Sequence, residues 1–143
     1  MDSILYNYAM ALVGKPYIWG GQGPDGFDCS GLCIELYQSG GVLPHRFDTT
    51  AQGLYNRFSQ PSEGVHLTAP RFGALSFYGR SIRQITHVAF CLDHWRVLDA
   101  GGGNSSTTTA ERAAEQDAMV RIRPLNYRKD RVGLLLPVSP LFL

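Results

Sequence analysis

Three side chains of this sequence have the types that acyl-transfer chemistry uses: Cys29, His87 and Asp99. A cysteine thiolate attacks a carbonyl carbon, and a histidine takes up the thiol proton and returns it to the leaving group. A carboxylate holds the far nitrogen of the imidazole and favours its charged form. The three residues are far apart in the chain, so the elements that carry them must bring them together.

The segment in front of Cys29 predicts a shaped loop that leads into a helix. Residues 14–26 contain five glycines and two prolines, and Pro24-Asp25-Gly26 predicts a turn. Asp28 is a good N-cap residue, and apolar residues recur after it at helical spacing, namely Leu32, Cys33, Leu36 and Tyr37. Cys29 then lies in the first turn, where unpaired N–H groups and the positive helix end favour a thiolate. We expect Cys33 and Cys91 to be ordinary buried cysteines.

The segment from His87 to Leu92 alternates as a strand, with His87, Ala89 and Cys91 on one face. Residues 97–99 predict the returning strand of a hairpin. A hairpin centred on Asp93 places Asp99 directly opposite His87, close enough for the carboxylate to reach the imidazole. The sequence therefore predicts contact between His87 and Asp99.

The remaining pattern predicts a mixed chain of helices and strands. Helices are predicted over 3–13, over 51–58 with Asp48 or Thr49 as the cap, and over 110–117. Strands are predicted over 73–78, 120–123 and 132–136, with loop over 59–71 and a flexible rim over 101–109. Five basic residues form a local cluster that is either a solvated face or a contact for acidic wall polymer or a partner: Arg121, Arg123, Arg128, Lys129 and Arg131.

Length and composition exclude several classes of protein. A chain of 143 residues predicts a single domain over 1–143, and no run of apolar residues is long enough to span a membrane. The 13 Lys and Arg residues against 12 Asp and Glu give a net charge of +1, which predicts no general attraction to nucleic acid. Three cysteines cannot all pair, and no disulfide framework is expected.

A zinc site is the competing interpretation of the same residues, because Cys29, Cys33, His87 and Cys91 could be written as four ligands. Strand spacing places His87 and Cys91 about 13 Å apart, too far to share one ion. We therefore expect no metal and no cofactor.

The motif residues resemble the NlpC family of papain-like cysteine peptidases, which cut peptides of the bacterial cell wall. The resemblance rests on three runs: Pro16-Tyr17-Ile18-Trp19-Gly20-Gly21, Phe27-Asp28-Cys29-Ser30-Gly31-Leu32, and Thr86-His87-Val88-Ala89-Phe90. The family often has a histidine as its third polar residue, at the position where this chain has Asp99.

The resemblance implies an α+β fold in which the nucleophile helix packs on a small antiparallel sheet. It implies that Tyr17 joins the backbone N–H of Cys29 in an oxyanion hole. It also implies that Asp28 and Ser30 line the subsite for the free amino end of the acceptor-side peptide. Trp19 is either a packing residue or a wall of the substrate site.

The implied activity is hydrolysis of peptidoglycan stem peptides, at the bond between γ-D-Glu and the diamino acid, through a thioester. Two alternatives stay open: another acyl-transfer enzyme on the same fold (an amidase, thioesterase or transacylase), and a non-catalytic structural module of a phage tail. An intact set of Cys29, His87 and Asp99 favours an enzyme over the structural module.

The N-terminus has no basic segment followed by an apolar core, the pattern of a secretory signal. We therefore expect a protein made in the cytoplasm that acts on the wall after delivery by a phage particle, by lysis or by a secretion system. Delivery by a phage particle or by a secretion system would involve a phage-tail or secretion-machine partner.

Overall fold

The computed structural model describes residues 3–142, which form helices and a six-stranded antiparallel sheet. In chain order the elements are α1 (Ser3–Ala11), α2 (Cys29–Ser39), α3 (Ala51–Phe58), β1 (Gly64–His66), β2 (Leu75–Gly79), β3 (Ile85–Cys91), β4 (Arg96–Gly101), α4 (Ala110–Glu115), β5 (Met119–Pro124), β6 (Arg131–Pro137) and a 3₁₀ turn (Pro140–Phe142). This combination confirms the predicted α+β class. None of the helices described within this range is long and apolar enough to cross a membrane.

The sheet has the strand order β1-β6-β2-β3-β4-β5, so β2 and β3 lie near its centre. Helix α2 packs on β3 and β4, and α3 packs on β3 and β6. The core between the layers is built from fully buried side chains of both, among them Leu32, Leu36, Tyr37, Leu54, Phe77, Val88 and Phe90. The nucleophile helix therefore lies on the antiparallel sheet, as predicted.

Helix α2 begins at Cys29 because Asp28 caps it. Asp28 has extended backbone, and its Oδ1 accepts a hydrogen bond of 2.6 Å from the Gly31 N–H. At the other end of the helix, Tyr37 donates a buried hydrogen bond of 2.6 Å to the Gly73 carbonyl, which joins α2 to the segment before β2. The predicted cap is confirmed, and α2 is held rigidly between the loop and the sheet.

Two local predictions outside the site are wrong. Helix α3 is capped by Thr50, whose side chain accepts a hydrogen bond from the Gly53 N–H, and not by Asp48 or Thr49. The predicted loop over 59–71 contains β1, which pairs with β6 at the edge of the sheet. A three-residue edge strand has too few side chains to show an alternation, so the pattern does not reveal it.

The hairpin of β3 and β4 is centred one residue later than predicted, so each residue of β4 faces a partner two residues further along β3. Phe90 lies opposite Leu98, which centres the hairpin on His94 and not on Asp93. Asp93 Oδ1 accepts hydrogen bonds from the backbone N–H groups of Trp95, at 3.0 Å, and Arg96, at 2.8 Å. An aspartate whose carboxylate accepts hydrogen bonds from the amides two and three residues later occupies the first position of a turn and not its centre.

In the observed register Asp99 falls opposite Ala89, so the predicted direct opposition of His87 and Asp99 is wrong. His87 lies two residues before Ala89 and therefore on the same face of the sheet. Diagonal neighbours on one face are still within reach of long side chains. The two side chains consequently meet across the diagonal.

Candidate active site

Cys29 is the first residue of α2 and lies between two surface cavities, both of which its side chain lines. It is half-buried, whereas Cys33 and Cys91 are fully buried. Burial raises the pKa of the Cys91 thiol to about 12 and that of Cys33 well above its ordinary value. Among residues 3–142, no group accepts a hydrogen bond from the Cys29 amide. Cys29 is thus the thiol that a ligand can reach, beside a free backbone donor.

The glycine-rich loop is fixed to the start of α2 by its backbone. The Asp28 N–H donates to the Gly21 carbonyl at 3.0 Å, and the Gly20 N–H donates to Asp28 Oδ2 at 3.0 Å. A Cβ atom on Gly31 would collide with the Gly21 carbonyl oxygen, so only glycine permits this close approach. The loop therefore sits against the helix end while Cys29 stays accessible from both cavities.

His87 lies on β3 with its imidazole enclosed, at 8% exposure. Its Nε2 is 3.0 Å from Asp99 Oδ2 and 2.8 Å from the Tyr127 hydroxyl oxygen. The Cys29 side chain lies close enough to the imidazole to raise its pKa. Because Nε2 faces Asp99 and Tyr127, Nδ1 is the ring nitrogen left for the Cys29 thiol.

Opposing effects act on the charge of His87. Burial lowers its pKa, but the hydrogen bonds and negative charges of Asp99 and Cys29 outweigh burial and raise the pKa from 6.5 to about 9. The imidazole is therefore protonated at neutral pH. A protonated histidine beside a cysteine is the state that can pass a proton to a leaving amine.

Asp99 lies on β4 and is almost fully buried. Its Oδ2 accepts hydrogen bonds from His87 and from the Tyr127 hydroxyl, the latter at 2.8 Å. Its Oδ1 has no hydrogen-bond partner among the described residues and lies 3.9 Å from Arg123 Nε. Asp99 thus occupies the orienting position, held by one neutral and two cationic groups.

Tyr127 is the residue of this cluster that sequence reasoning missed. It follows β5 in the turn towards β6, and its ring packs edge-to-face on Tyr78, with centroids 5.5 Å apart. Burial, followed by the charge of Asp99, raises the Tyr127 pKa strongly, so its hydroxyl keeps its proton. A single tyrosine in a turn, 40 residues from His87 in the chain, carries no motif that could reveal the contact.

Tyr17 lines both cavities together with Cys29. Burial, followed by the charges of Cys29 and Asp28, raises its pKa to about 12, so the hydroxyl stays a donor at neutral pH. A Cβ atom on Gly103 would collide with the Tyr17 ring, which means that the rim after β4 packs closely on this side chain. The structure places Tyr17 beside the cysteine, where the oxyanion role would require it.

Asp28, Ser30 and Trp19 line the first cavity. Both oxygens of Asp28 already accept backbone hydrogen bonds, and Ser30 Oγ donates to Asp28 Oδ1 at 3.3 Å. Burial, together with the charge of Asp48, raises the Asp28 pKa. Trp19 is 54% exposed, which favours a cavity wall over a core packing residue.

Within residues 3–142, no group of three or more His, Cys, Asp and Glu side chains is arranged to hold a metal ion. The residues of the zinc interpretation are used differently: His87 is engaged with Asp99 and Tyr127, and Cys33 and Cys91 are buried in the core.

The pattern of the NlpC/P60 family matches residues 14–124 of this chain, a range that includes the cysteine, the histidine and Asp99. The chain belongs to the NlpC/P60 family. The match extends over the loop before Cys29, the central strands and β5.

Known proteins resemble the chain in sequence and in structure. It is 35% identical over 95 residues to the bifunctional muramidase/DL-endopeptidase CwlT of Bacillus subtilis. This alignment covers 64% of this chain and 27% of CwlT. It is 27% identical over 134 residues to dipeptidyl-peptidase 6 of Lysinibacillus sphaericus, with 94% of this chain and 42% of that protein. The chain thus spans less than half the length of either relative.

The crystal structure of the P60 domain from the Mycobacterium avium subspecies paratuberculosis antigen MAP1204 matches this NlpC/P60 chain with a TM-score of 0.61 and 26% identity. The match covers 93% of each chain. This agreement confirms the papain-like architecture implied by the motifs.

Proposed function

We propose that this chain is a cysteine peptidase that hydrolyses peptide bonds in peptidoglycan stem peptides. The observation that carries the proposal is that His87 contacts Asp99 at 3.0 Å and lies close enough to Cys29 for that side chain to raise its pKa. Nucleophile, base and orienting carboxylate in this order are the arrangement that acyl transfer needs. Membership of the NlpC/P60 family supports the same activity.

The proposed reaction begins with attack of the Cys29 thiolate on the scissile carbonyl carbon. The free Cys29 N–H and the Tyr17 hydroxyl receive the oxyanion that forms. The protonated His87 then gives its proton to the leaving amine, and a thioester remains on Cys29. A water molecule, deprotonated by His87, attacks the thioester and releases the acyl product.

The bond between γ-D-Glu and the diamino acid is the proposed point of cleavage. The preference derives from the resemblance to the NlpC family, and the DL-endopeptidase named in the CwlT relative agrees with it. Asp28 and Trp19 line the cavity beside Cys29, and we propose that they bind substrate. The half-buried Asp28 carboxylate suits an amino group of the peptide.

The test is mass spectrometry of defined stem peptides after incubation with the protein, with acyl thioesters and non-peptide amides as matched alternatives. We expect cleavage next to γ-D-Glu to give two fragments whose summed mass exceeds that of the peptide by the mass of one water molecule. Turnover of thioesters or transfer to an amine without peptide cleavage would identify another acyl-transfer enzyme. A protein that binds stem peptides and cuts none would be a structural module.

Delivery by a phage particle, by lysis or by a secretion system stays a prediction from the sequence. Recovery of the protein from culture medium when its gene is expressed alone would contradict that prediction.

A further inference from the structure

The two cavities that meet at Cys29 differ in the charged side chains that line them. The first, of about 410 Å³, is lined by the carboxylates of Asp28 and Asp48 and by no cationic side chain; we call it the acidic cavity. The second, of about 520 Å³, is lined by Arg123 and Arg128 together with His87 and Asp99; we call it the arginine cavity. A substrate that crosses Cys29 therefore passes from a cavity whose charged groups are carboxylates to one that offers guanidinium groups.

The position of His87 decides which part of the substrate lies in which cavity. The general acid must contact the leaving nitrogen, and His87 lines the arginine cavity but not the acidic one. The leaving peptide consequently belongs in the arginine cavity and the acyl part in the acidic cavity. This differs from the expectation that Asp28 and Ser30 receive the acceptor-side peptide.

Arg123 is held in place while its donors stay open. Its Cζ lies 5.7 Å from the centre of the Tyr127 ring, and its Nε lies 3.9 Å from Asp99 Oδ1, beyond hydrogen-bond distance. No described residue accepts a hydrogen bond from the guanidinium, and the buried Nε has no partner. The Arg123 side chain is 39% exposed, so it borders the cavity and is not enclosed in the core.

Arg123 and the protonated His87 bring two positive charges to the arginine cavity, against the Asp99 carboxylate and the thiolate that Cys29 carries in the proposed reaction. Asp99 is a single carboxylate, and it faces both the protonated His87 and Arg123. Arg128 is bound through two hydrogen bonds, of 2.9 and 2.8 Å, to Asp130, so its charge is largely compensated. Arg123 is therefore the main cation available to a ligand, and Arg128 contributes at the rim.

We propose that Arg123, with Arg128 at the rim, forms a subsite for a carboxylate on the leaving peptide, carried by the residue directly after the scissile bond. The planar guanidinium fork matches a carboxylate in two parallel hydrogen bonds. This inference rests on the proposed peptidase function. The carboxylate has two sources in stem peptides: the terminal α-carboxylate of a leaving amino acid, and the side-chain carboxylate of a diaminopimelate residue.

Matched peptides test the subsite and distinguish the two sources. Four substrates share the acyl part and differ in the leaving residue, which is lysine or diaminopimelate, each as the free acid or with every carboxylate replaced by a carboxamide. A fifth carries diaminopimelate with only its α-carboxylate amidated. We expect the wild-type protein to favour the acids by about 10-fold in kcat/KM, mainly through KM. If the fifth peptide is still preferred over the fully amidated diaminopimelate peptide, the subsite binds the side-chain carboxylate. If that preference is lost, the subsite binds the α-carboxylate.

The variant Arg123→Gln should remove the preference by slowing the acids while leaving the amides nearly unchanged. Lys129→Gln is the matched control, because Lys129 belongs to the same basic cluster but lines a different cavity. It removes the same charge and should keep the preference. Equal kcat/KM for acids and amides in the wild-type protein would overturn the subsite. An Arg123→Gln variant whose kcat falls equally on both would overturn it too, because Arg123 would then act only on Asp99.

Binding separates failure of the subsite from failure of the proposed function. Calorimetry with the leaving amino acids themselves, as acids and as amides, needs no catalysis. Tighter binding of the acids that Arg123→Gln abolishes supports the subsite even if the wild-type protein cuts none of the peptides. Equal binding of acids and amides overturns it whatever the protein cleaves.

Discussion

At the scale of single residues, the charge of His87 is set by competition between burial and its partners. A buried imidazole surrounded by apolar groups would be neutral at pH 7. Here the hydrogen bonds and charges of Asp99 and Cys29 outweigh burial, and the His87 pKa rises to about 9. In the proposed reaction, the proton that the leaving amine needs is therefore in place before the substrate binds.

Asp99→Asn tests this balance. Asparagine keeps the shape and one acceptor oxygen but removes the negative charge, so the His87 pKa should fall from about 9. Activity requires the protonated imidazole and is lost as pH rises through that pKa, so the basic limb of the pH–rate profile should move to lower pH. We also expect a reduced kcat and a retained fold, and a larger loss of kcat for Asp99→Ala, which lacks the orienting oxygen. An unchanged rate and pH profile for Asp99→Asn would remove Asp99 from the site.

Tyr127→Phe tests the residue that the sequence did not reveal. The change removes the hydroxyl that donates to Asp99 at 2.8 Å and keeps the ring that packs on Tyr78. Asp99 and the imidazole then lose a fixed neighbour, so kcat should fall by about 10-fold while KM stays near its wild-type value. Tyr55→Phe is the control, because Tyr55 lies on α3 and its hydroxyl bonds no described residue.

An unchanged kcat and pH profile in Tyr127→Phe would show that the Tyr127 hydroxyl does not position the pair. A fall in thermal stability without any change in the pH profile would indicate a purely structural role.

At the scale of elements, the site depends on how closely the glycine-rich loop meets the start of α2. The Gly21 carbonyl accepts from the Asp28 N–H at 3.0 Å and leaves no room for a side chain on Gly31. Cys29 lies in the chain between Asp28 and Gly31, the two residues that meet the Gly21 carbonyl. The same backbone thus fixes the position of the nucleophile and the shape of the entrance.

Gly31→Ala should separate the loop from the helix. The added methyl group meets backbone and not a flexible side chain, so we expect a loss of about 1–3 kcal/mol in the free energy of unfolding. Because Cys29 moves with the helix end, kcat should fall even at temperatures where the variant is fully folded. Gly133→Ala, where the new methyl group meets the side chain of Tyr55, is the control and should keep its activity. A Gly31→Ala variant with wild-type stability and kcat would contradict this account.

The elements also indicate how far local patterns determine the fold. The cap at Asp28 and the buried stripe that begins at Leu32 were predictable, because both depend on residues close in sequence. The hairpin register was not, because it depends on Asp93 bonding two turn amides. The contact of His87 with Asp99 still forms, since the pairing partner of Asp99 shifts by two residues, which changes direct opposition into a diagonal on the same face.

At the scale of the whole molecule, the fold could be predicted from the sequence because the motifs around Cys29 and His87 lie on the elements that form its centre. The arginine cavity could not be predicted from the sequence. It forms where Arg123 on β5 and Tyr127 in the turn after β5 lie beside Asp99, and side-chain contacts between distant segments leave no periodicity in the chain. The sequence shows that basic residues are clustered in this part of the chain. Only the packing of the folded chain determines which of them border the site.

We propose that Cys29 is the nucleophile of a peptide hydrolase, and the sharpest test is the rate at which Cys29→Ala cleaves a defined stem peptide. Product masses should be recorded beside the wild-type protein at equal concentration, with circular dichroism to verify the fold. We expect cleavage to fall by about 10³-fold or more, because no other reachable thiol exists among the described residues to form the thioester. A folded Cys29→Ala variant that cuts the same bond at a rate near that of the wild-type protein would contradict the account.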